Sequence, residues 1–158
     1  MAGIPCPDVI ALKQHVLVLS MVGDNSGAPM LRHAQMHRLK TEIPYEQVMQ
    51  YMKILYKQCN LIHGNLTDKN ILWFDSSCYL INLSRALEPH ERNAYHFLFN
   101  DCKNICKFFK KLKVPNVVTP EKLFLDITGC NYSNQAALDA LQEVKRKNQI
   151  IMSSHNKV

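Results

Sequence analysis

Two segments of the 158-residue chain place apolar residues at every third or fourth position. The first set is Val48, Met52, Leu55 and Cys59, and the second is Leu98, Cys102, Ile105, Phe109 and Leu112. This spacing aligns each set on one face of an α-helix. It predicts one long helix from residue 44 to about residue 59 and another over residues 98–112, with both apolar faces in one shared core.

Short apolar runs between polar turn residues indicate β-strands. Residues 15–22 are mostly Val and Leu and are followed by a turn that contains two glycines, which is typical of a buried strand. Residues 70–74 and 78–83 are two further apolar runs. The three polar residues between them, at positions 75–77, predict a β-hairpin.

The C-terminal part of the chain carries helix start and stop signals. Thr119 is a favourable cap and Pro120 a favourable first-turn residue, so a short third helix is predicted to begin there and to end near Gly129. Ser133 is the predicted cap of a last helix. Residues 149–158 are predicted to be a disordered tail, which leaves residues 1–148 as one domain.

Composition excludes several classes of protein. With 47% apolar residues the chain can bury a core, and no apolar run approaches the roughly 18 residues that a membrane span requires. No signal peptide is recognisable, so we expect a soluble, cytoplasmic protein without membrane contacts. The six cysteines form no C-x-x-C pair, which disfavours a structural zinc site. A net charge of +6 does not by itself predict direct binding of nucleic acid.

The most informative motif lies between the first long helix and the hairpin. His63, Leu66 and Asn70 form a His-x-x-Leu-x-x-x-Asn loop, and Asn82 stands at the far end of the hairpin. A loop of this kind between a helix and a hairpin has the layout of a protein-kinase catalytic loop, and the metal-binding Asp of a kinase follows such a hairpin.

More narrowly, the chain resembles the RIO family of atypical serine/threonine kinases, which has a His-x-Asp-Leu-Ser-x-x-Asn loop and an Ile-Asp-x-Ser metal loop. Further similar segments lie at residues 2–7, 88–89, 97–104 and 127–131, and they point to the third, animal subfamily. The resemblance spans about residues 2–148. It implies an α+β, mostly helical fold: a kinase-like C-lobe over residues 40–148 that carries the hairpin, preceded by a hinge strand at residues 15–22.

The resemblance also assigns roles to individual positions. Ser20, Met21 and Val22 would be the hinge that contacts ATP, and Asn70 would be a ligand of Mg²⁺. Asn65 stands at the position of the catalytic Asp, and Asn82 at that of the metal-loop Asp. His63 is either the orienting histidine of the catalytic loop or a residue that only holds the loop in place.

The two asparagines divide the functional hypotheses. An amide cannot accept the proton of a substrate hydroxyl as a carboxylate does, and it brings no negative charge to Mg²⁺. Only fourteen residues precede the hinge strand and they contain no glycine-rich loop, so most of an N-lobe is expected to be absent. One hypothesis is therefore a catalytically impaired domain that binds proteins or the preribosome. The alternative is an ATP-dependent serine/threonine kinase or ATPase that acts in ribosome small-subunit maturation or signalling.

The hinge strand gives one more expectation. Few charges protect the edge of this apolar strand, and an unpaired apolar edge invites pairing with another chain. We therefore expect self-association through residues 15–22, or a partner that covers them.

Overall fold

The computed structural model describes residues 2–34 and 41–155, with side chains through residue 151. The predicted start of the C-lobe at residue 40 lies outside the described residues. The elements in chain order are β1 (Val9–Lys13), β2 (Val16–Leu19), α1 (Glu42–Lys57), β3 (Ile71–Phe74), β4 (Ser77–Leu80), a 3₁₀ turn (Leu83–Arg85), α2 (Ala94–Lys111), α3 (Pro120–Thr128) and α4 (Gln135–His155). The mostly helical α+β fold predicted from the sequence is confirmed.

Helices α1 and α2 have the apolar faces that the sequence predicts. Val48 on α1 and Ile105 on α2 are fully buried, and both belong to a single hydrophobic core. The ring of Tyr45 packs edge-on against that of Phe109, with centroids 5.2 Å apart, and so joins the two helices directly. The shared core exists because neither helix can bury its apolar face alone.

Helix α3 closes the core against α1 and α2. The Thr119 side chain accepts a hydrogen bond from the Lys122 N–H at 3.2 Å, so the predicted cap is confirmed. Gly129 ends the helix with φ +77°, a left-handed conformation that glycine adopts without strain. Phe124 of α3 packs edge-on against Tyr95 of α2, with centroids 6.2 Å apart.

Helix α4 differs from the prediction at both ends. The side chain of Asn134, and not that of Ser133, accepts a hydrogen bond from the Ala137 N–H at 3.1 Å. Residues 149–155 are helical where the sequence predicts a disordered tail, because no glycine or proline follows Gly129 to stop the helix. No helix within residues 2–34 and 41–155 has the length and hydrophobicity that crossing a membrane requires.

The hairpin of β3 and β4 positions the end of the candidate loop. Phe74 pairs with Ser77, so the connection consists of Asp75 and Ser76 alone. Their φ angles of +46° and +57° are those of a type I′ turn, whose twist matches the twist of the strands. The predicted hairpin is therefore correct, with a turn one residue shorter because Ser77 joins the strand.

The N-terminal strand is present but is not buried. Strand β2 covers only residues 16–19 of the predicted 15–22, and Val16 and Leu17 are 62% and 52% exposed. It pairs antiparallel with β1, a strand that the sequence pattern did not predict. The prediction of burial was wrong because an apolar run indicates a strand but does not supply the second layer that would cover it.

Candidate catalytic loop

The loop of residues 61–70 is held at both ends by backbone hydrogen bonds. Ile62 and Leu87 exchange two such bonds, at 2.8 and 3.0 Å, and these fix the start of the loop beside the segment that follows the hairpin. The Asn70 N–H donates to the Thr67 carbonyl oxygen at 2.9 Å and closes a turn at its end. The loop therefore has one defined backbone path between α1 and β3.

His63 is a buried anchor of this loop. Its side chain is 2% exposed, and Nε2–H donates to the carbonyl oxygen of Ile81 at 3.1 Å. Burial lowers the pKa of the imidazole from its ordinary value, so the ring is held in its neutral form. This contact ties the loop to the end of the hairpin, which fits the holding role considered from the sequence.

Asp101 on α2 binds the backbone of the same loop. Its two carboxylate oxygens accept hydrogen bonds from the N–H groups of Gly64, at 2.9 Å, and Leu66, at 2.7 Å. Gly64 has φ +75°, and a Cβ there would overlap the carbonyl oxygen of Arg85, so only glycine fits. Sequence reasoning missed the role of Asp101. The available signal was an acidic residue directly before Cys102, on the border of the apolar stripe of α2.

The loop and the hairpin bring the three asparagines together. The Asn70 side-chain amide donates to the main-chain oxygen of Asn65 at 2.8 Å. The Asn82 amide in turn donates to Asn70 Oδ1 at 3.3 Å, and Ser84 donates to Asn82 Oδ1 at 2.8 Å. Asn82 is in the left-handed region, with φ +63° and ψ +57°. The predicted metal-ligand positions are therefore adjacent and bonded to each other.

These residues do not fit a Mg²⁺ ion. Magnesium in proteins is usually held by one or two carboxylates together with substrate phosphates. Here both protein ligands would be neutral amides, and an N–H of Asn82 points at the Asn70 oxygen that would have to face the ion. The described residues also contain no cluster of three His, Cys, Asp or Glu side chains with metal-binding geometry.

Some polar groups of the predicted hinge are already hydrogen-bonded within the chain. The Ser20 N–H donates to the Asp8 carbonyl oxygen at 2.8 Å, and the Val22 carbonyl oxygen accepts from the Ala28 N–H at 2.8 Å. Met21 is 65% exposed and Val22 is buried. A cavity of about 520 Å³ separates the β1–β2 hairpin from Asn82, and no lysine or arginine of residues 2–34 or 41–151 lines it.

The burial of Asp101 predicts a pH-dependent stability. Burial raises the pKa of this carboxyl to about 6, against about 3.9 in an unfolded chain. Folding then favours the protonated form, so the contribution of Asp101 to stability falls as the pH rises from about 4 to about 6, by up to about 3 kcal/mol. Urea unfolding should be measured for wild type and Asp101→Asn across this range. As the pH rises, the free energy of unfolding of wild type should fall relative to that of the variant. A difference that does not change with pH would contradict this prediction.

Comparisons with known proteins identify the relatives of this chain. A family model described as the RIO domain matches residues 1–123. Serine/threonine-protein kinase RIO3 of Mus musculus is 37% identical over 145 residues, which cover 91% of this chain and 28% of the relative. Serine/threonine-protein kinase RIO1 of Homo sapiens is 38% identical over 135 residues, covering 85% of this chain and 24% of the relative. The chain thus spans less than a third of the length of these two curated relatives.

A solved structure shows the same fold. The Rio2 kinase of Chaetomium thermophilum, in a complex with ADP/Mg²⁺ and phosphoaspartate, aligns with a TM-score of 0.60 and 19% identity, covering 92% of this chain and 50% of that chain. The resemblance inferred from the loop and hairpin motifs, including the likeness to RIO3, is confirmed. The chain belongs to the RIO family and carries part of a kinase-like fold.

Proposed function

We propose that this chain is a RIO-type pseudokinase domain, with little or no phosphoryl transfer, that acts by binding a protein or a preribosomal particle. The observation that carries the proposal is the hydrogen bond from the Asn82 amide to Asn70 Oδ1. A carboxylate at position 82 would present only oxygen atoms to an ion held between residues 70 and 82. The Asn82 amide instead directs an N–H toward Asn70 Oδ1, the oxygen that would have to bind the ion.

The position of the catalytic base supports the same proposal. Asn65 lies in the loop at the place of the family's catalytic Asp, and its main-chain oxygen accepts the hydrogen bond from Asn70. A carboxamide has no basic lone pair that can take the proton of a hydroxyl at neutral pH. Losing a general base of this kind typically costs about a hundred- to ten-thousandfold in rate.

The cavity beside Asn82 gives a third line of support. This cavity of about 520 Å³ lies between the β1–β2 hairpin and Asn82 and is lined mainly by apolar side chains. Phosphoryl transfer relies on cations and backbone donors that position the phosphates. Because the described residues place no lysine or arginine in its lining, this cavity offers a triphosphate little electrostatic stabilisation.

The test is calorimetric titration of the 158-residue protein with Mg-ATP. We expect binding no tighter than about millimolar, because the asparagine pair and the hinge offer few groups that can hold a nucleotide. Titration with ATP in the presence of EDTA is the control, since the metal should make no difference. Micromolar binding that requires Mg²⁺ would overturn the proposal.

The second candidate is an ATP-dependent serine/threonine kinase or ATPase. Two observations support it. The RIO3 and RIO1 relatives are named serine/threonine-protein kinases, and the Rio2 kinase structure is a complex with ADP/Mg²⁺. Asn70, which keeps the family's residue, also favours it. The Mg²⁺ dependence of binding in the titration separates this candidate from the first.

The proposed binding role includes association of two copies of this chain through β2. In the described part of the chain β2 pairs only with β1, and it carries four exposed apolar residues, Val16, Leu17, Val18 and Leu19. The free edge of β1 is less suited to pairing, because the β1–β2 register is irregular between Val9 and Ala11. We propose that β2 is the edge that pairs with a second copy.

Sedimentation velocity at tens of micromolar tests this proposal. Wild type should form dimers or larger species, and Val18→Lys should be monomeric because a lysine on a strand edge opposes pairing. Leu125→Lys is the matched control, since Leu125 is exposed to a similar degree, 39% against 44% for Val18, but lies on α3. A wild-type protein that remains monomeric would count against association through β2.

A further inference from the structure

A band of lysines covers the exposed side of α2. Lys103, Lys107 and Lys111 follow one another at intervals of four residues, and Lys110 lies beside them. All four are exposed and stand opposite the buried stripe that contains Ile105. No Asp or Glu occurs between Asp101 and Glu121, so the sequence of the helix provides no neutralising partner after Asp101.

Local effects explain only part of this band. Lysines in the last turn of a helix interact favourably with its dipole, which accounts for Lys110 and Lys111. Lys103 lies over the ring of Phe99 on the preceding turn, with Nζ 5.3 Å from the ring centroid. Lys107 lies further from the helix end than the last turn, and like charges at i and i+4 destabilise a helix. No ion pair joins Lys103 or Lys107 to another part of the chain that the structure describes.

A groove runs beside two lysines of this band, Lys107 and Lys111, and reaches the catalytic loop. Its volume is about 550 Å³. Lys107 and Lys111 form one wall, and Arg32, Thr67 and Asp68 form the other. Phe108 contributes a half-buried ring to the lining. The Arg32 guanidinium donates to Asp68 at 2.9 Å and neutralises it. Asp68 is the one acid among the described lining residues, so within that part of the chain the two lysines have no counter-charge in the groove.

The charge of the groove calls for an anionic partner, and its shape favours a peptide. Successive lysines in the band rise by about 6 Å along the helix axis. Alternate side chains of an extended peptide are spaced by about 6.6 to 6.8 Å, so acidic residues at every second position would match the lysines. The apolar surface of Phe108 and Leu112 can receive neighbouring side chains of such a peptide.

The same surface is poorly suited to a nucleic acid. Single strands bind through rings on which bases can stack. Phe108 is the one aromatic side chain among the lining residues that the structure describes, and it already packs edge-on against Phe109, with centroids 5.1 Å apart. We infer that the groove between α2 and the catalytic loop binds an extended acidic peptide segment of a partner protein. This inference goes beyond the proposed function and does not depend on whether the chain binds a nucleotide.

Fluorescence anisotropy with a labelled peptide of alternating glutamate and valine tests the inference. Wild-type protein should bind this peptide, and Lys107→Glu/Lys111→Glu should weaken binding by at least about tenfold. Lys53→Glu/Lys57→Glu on α1 makes the same charge change at the same spacing and should alter affinity by less than about twofold. Unfolding curves check that each variant is folded, and Lys107→Gln/Lys111→Gln replaces the first variant if it is not.

Several outcomes would overturn the inference. If both double variants lost affinity for the peptide equally, the loss would be a general effect of net charge and would not indicate binding in the groove. A peptide with glutamine in place of glutamate that binds as tightly would exclude recognition of acids, as would a failure of wild type to bind the acidic peptide. A single-stranded oligonucleotide of equal charge that binds more tightly, and weakens with Lys107→Glu/Lys111→Glu, would assign the groove to nucleic acid.

Discussion

Replacing Ile105 by alanine is expected to lower the free energy of unfolding by about 2 to 5 kcal/mol. Ile105 is fully buried on α2, inside the core that also holds the apolar stripe of α1. Truncation removes buried methyl groups and leaves a cavity that the surrounding helices can only partly fill. Leu55→Ala on α1 should fall in the same range, because Leu55 is only 7% exposed and belongs to the same core.

Chemical denaturation measures both changes. Leu125→Ala is the matched control, because Leu125 lies on the outer side of α3 with 39% of its surface exposed and should cost less than about 1 kcal/mol. If Ile105→Ala and Leu55→Ala were both as mild as Leu125→Ala, the assignment of a common core to α1 and α2 would be wrong. If only one were costly, the two stripes would not share one core.

The helices were predictable because their apolar spacing is a local property of the sequence. The stripe of α2 and the cap at Thr119 required no knowledge of the rest of the fold. The pairing of β2 with β1 was not predictable in the same way. Residues 9–13 form a strand through hydrogen bonds with β2. The turn between β1 and β2 contains no glycine or proline, unlike the glycine-containing turn after residue 22, so the sequence did not indicate a hairpin there.

The candidate site was predictable in its location but not in its contacts. The spacing of His63, Asn70 and Asn82 located the loop and the end of the hairpin. The hydrogen bond from Asn82 to Asn70 depends on the left-handed backbone at Asn82, which the sequence does not state. The support that Asp101 gives to the loop depends on how α2 packs beneath it, which is a property of the tertiary structure.

Restoring both acids is expected to leave phosphoryl transfer near background. Asp tolerates the left-handed backbone at position 82, so Asn65→Asp/Asn82→Asp should fold and should return a base and a metal carboxylate. In the part of the chain that the structure describes, the phosphates would still find no lysine or arginine in the cavity beside Asn82, and the 158 residues contain no G-x-G-x-x-G loop. Positioning of the reacting groups is worth about 7 to 11 kcal/mol of a reaction barrier, more than a restored base contributes.

Turnover of radiolabelled ATP by wild type and by the double variant is the decisive measurement. We expect no autophosphorylation and no ATP hydrolysis above a blank in either protein. The single variant Asn82→Asp separates binding from chemistry, because it removes the amide donor that faces Asn70 Oδ1 and adds a carboxylate without adding a base. Its Mg²⁺ affinity should therefore rise while its turnover stays at background. Clear turnover by the double variant, abolished by a further Asn70→Ala, would show that the site already positions the phosphates and that the two asparagines alone had silenced it.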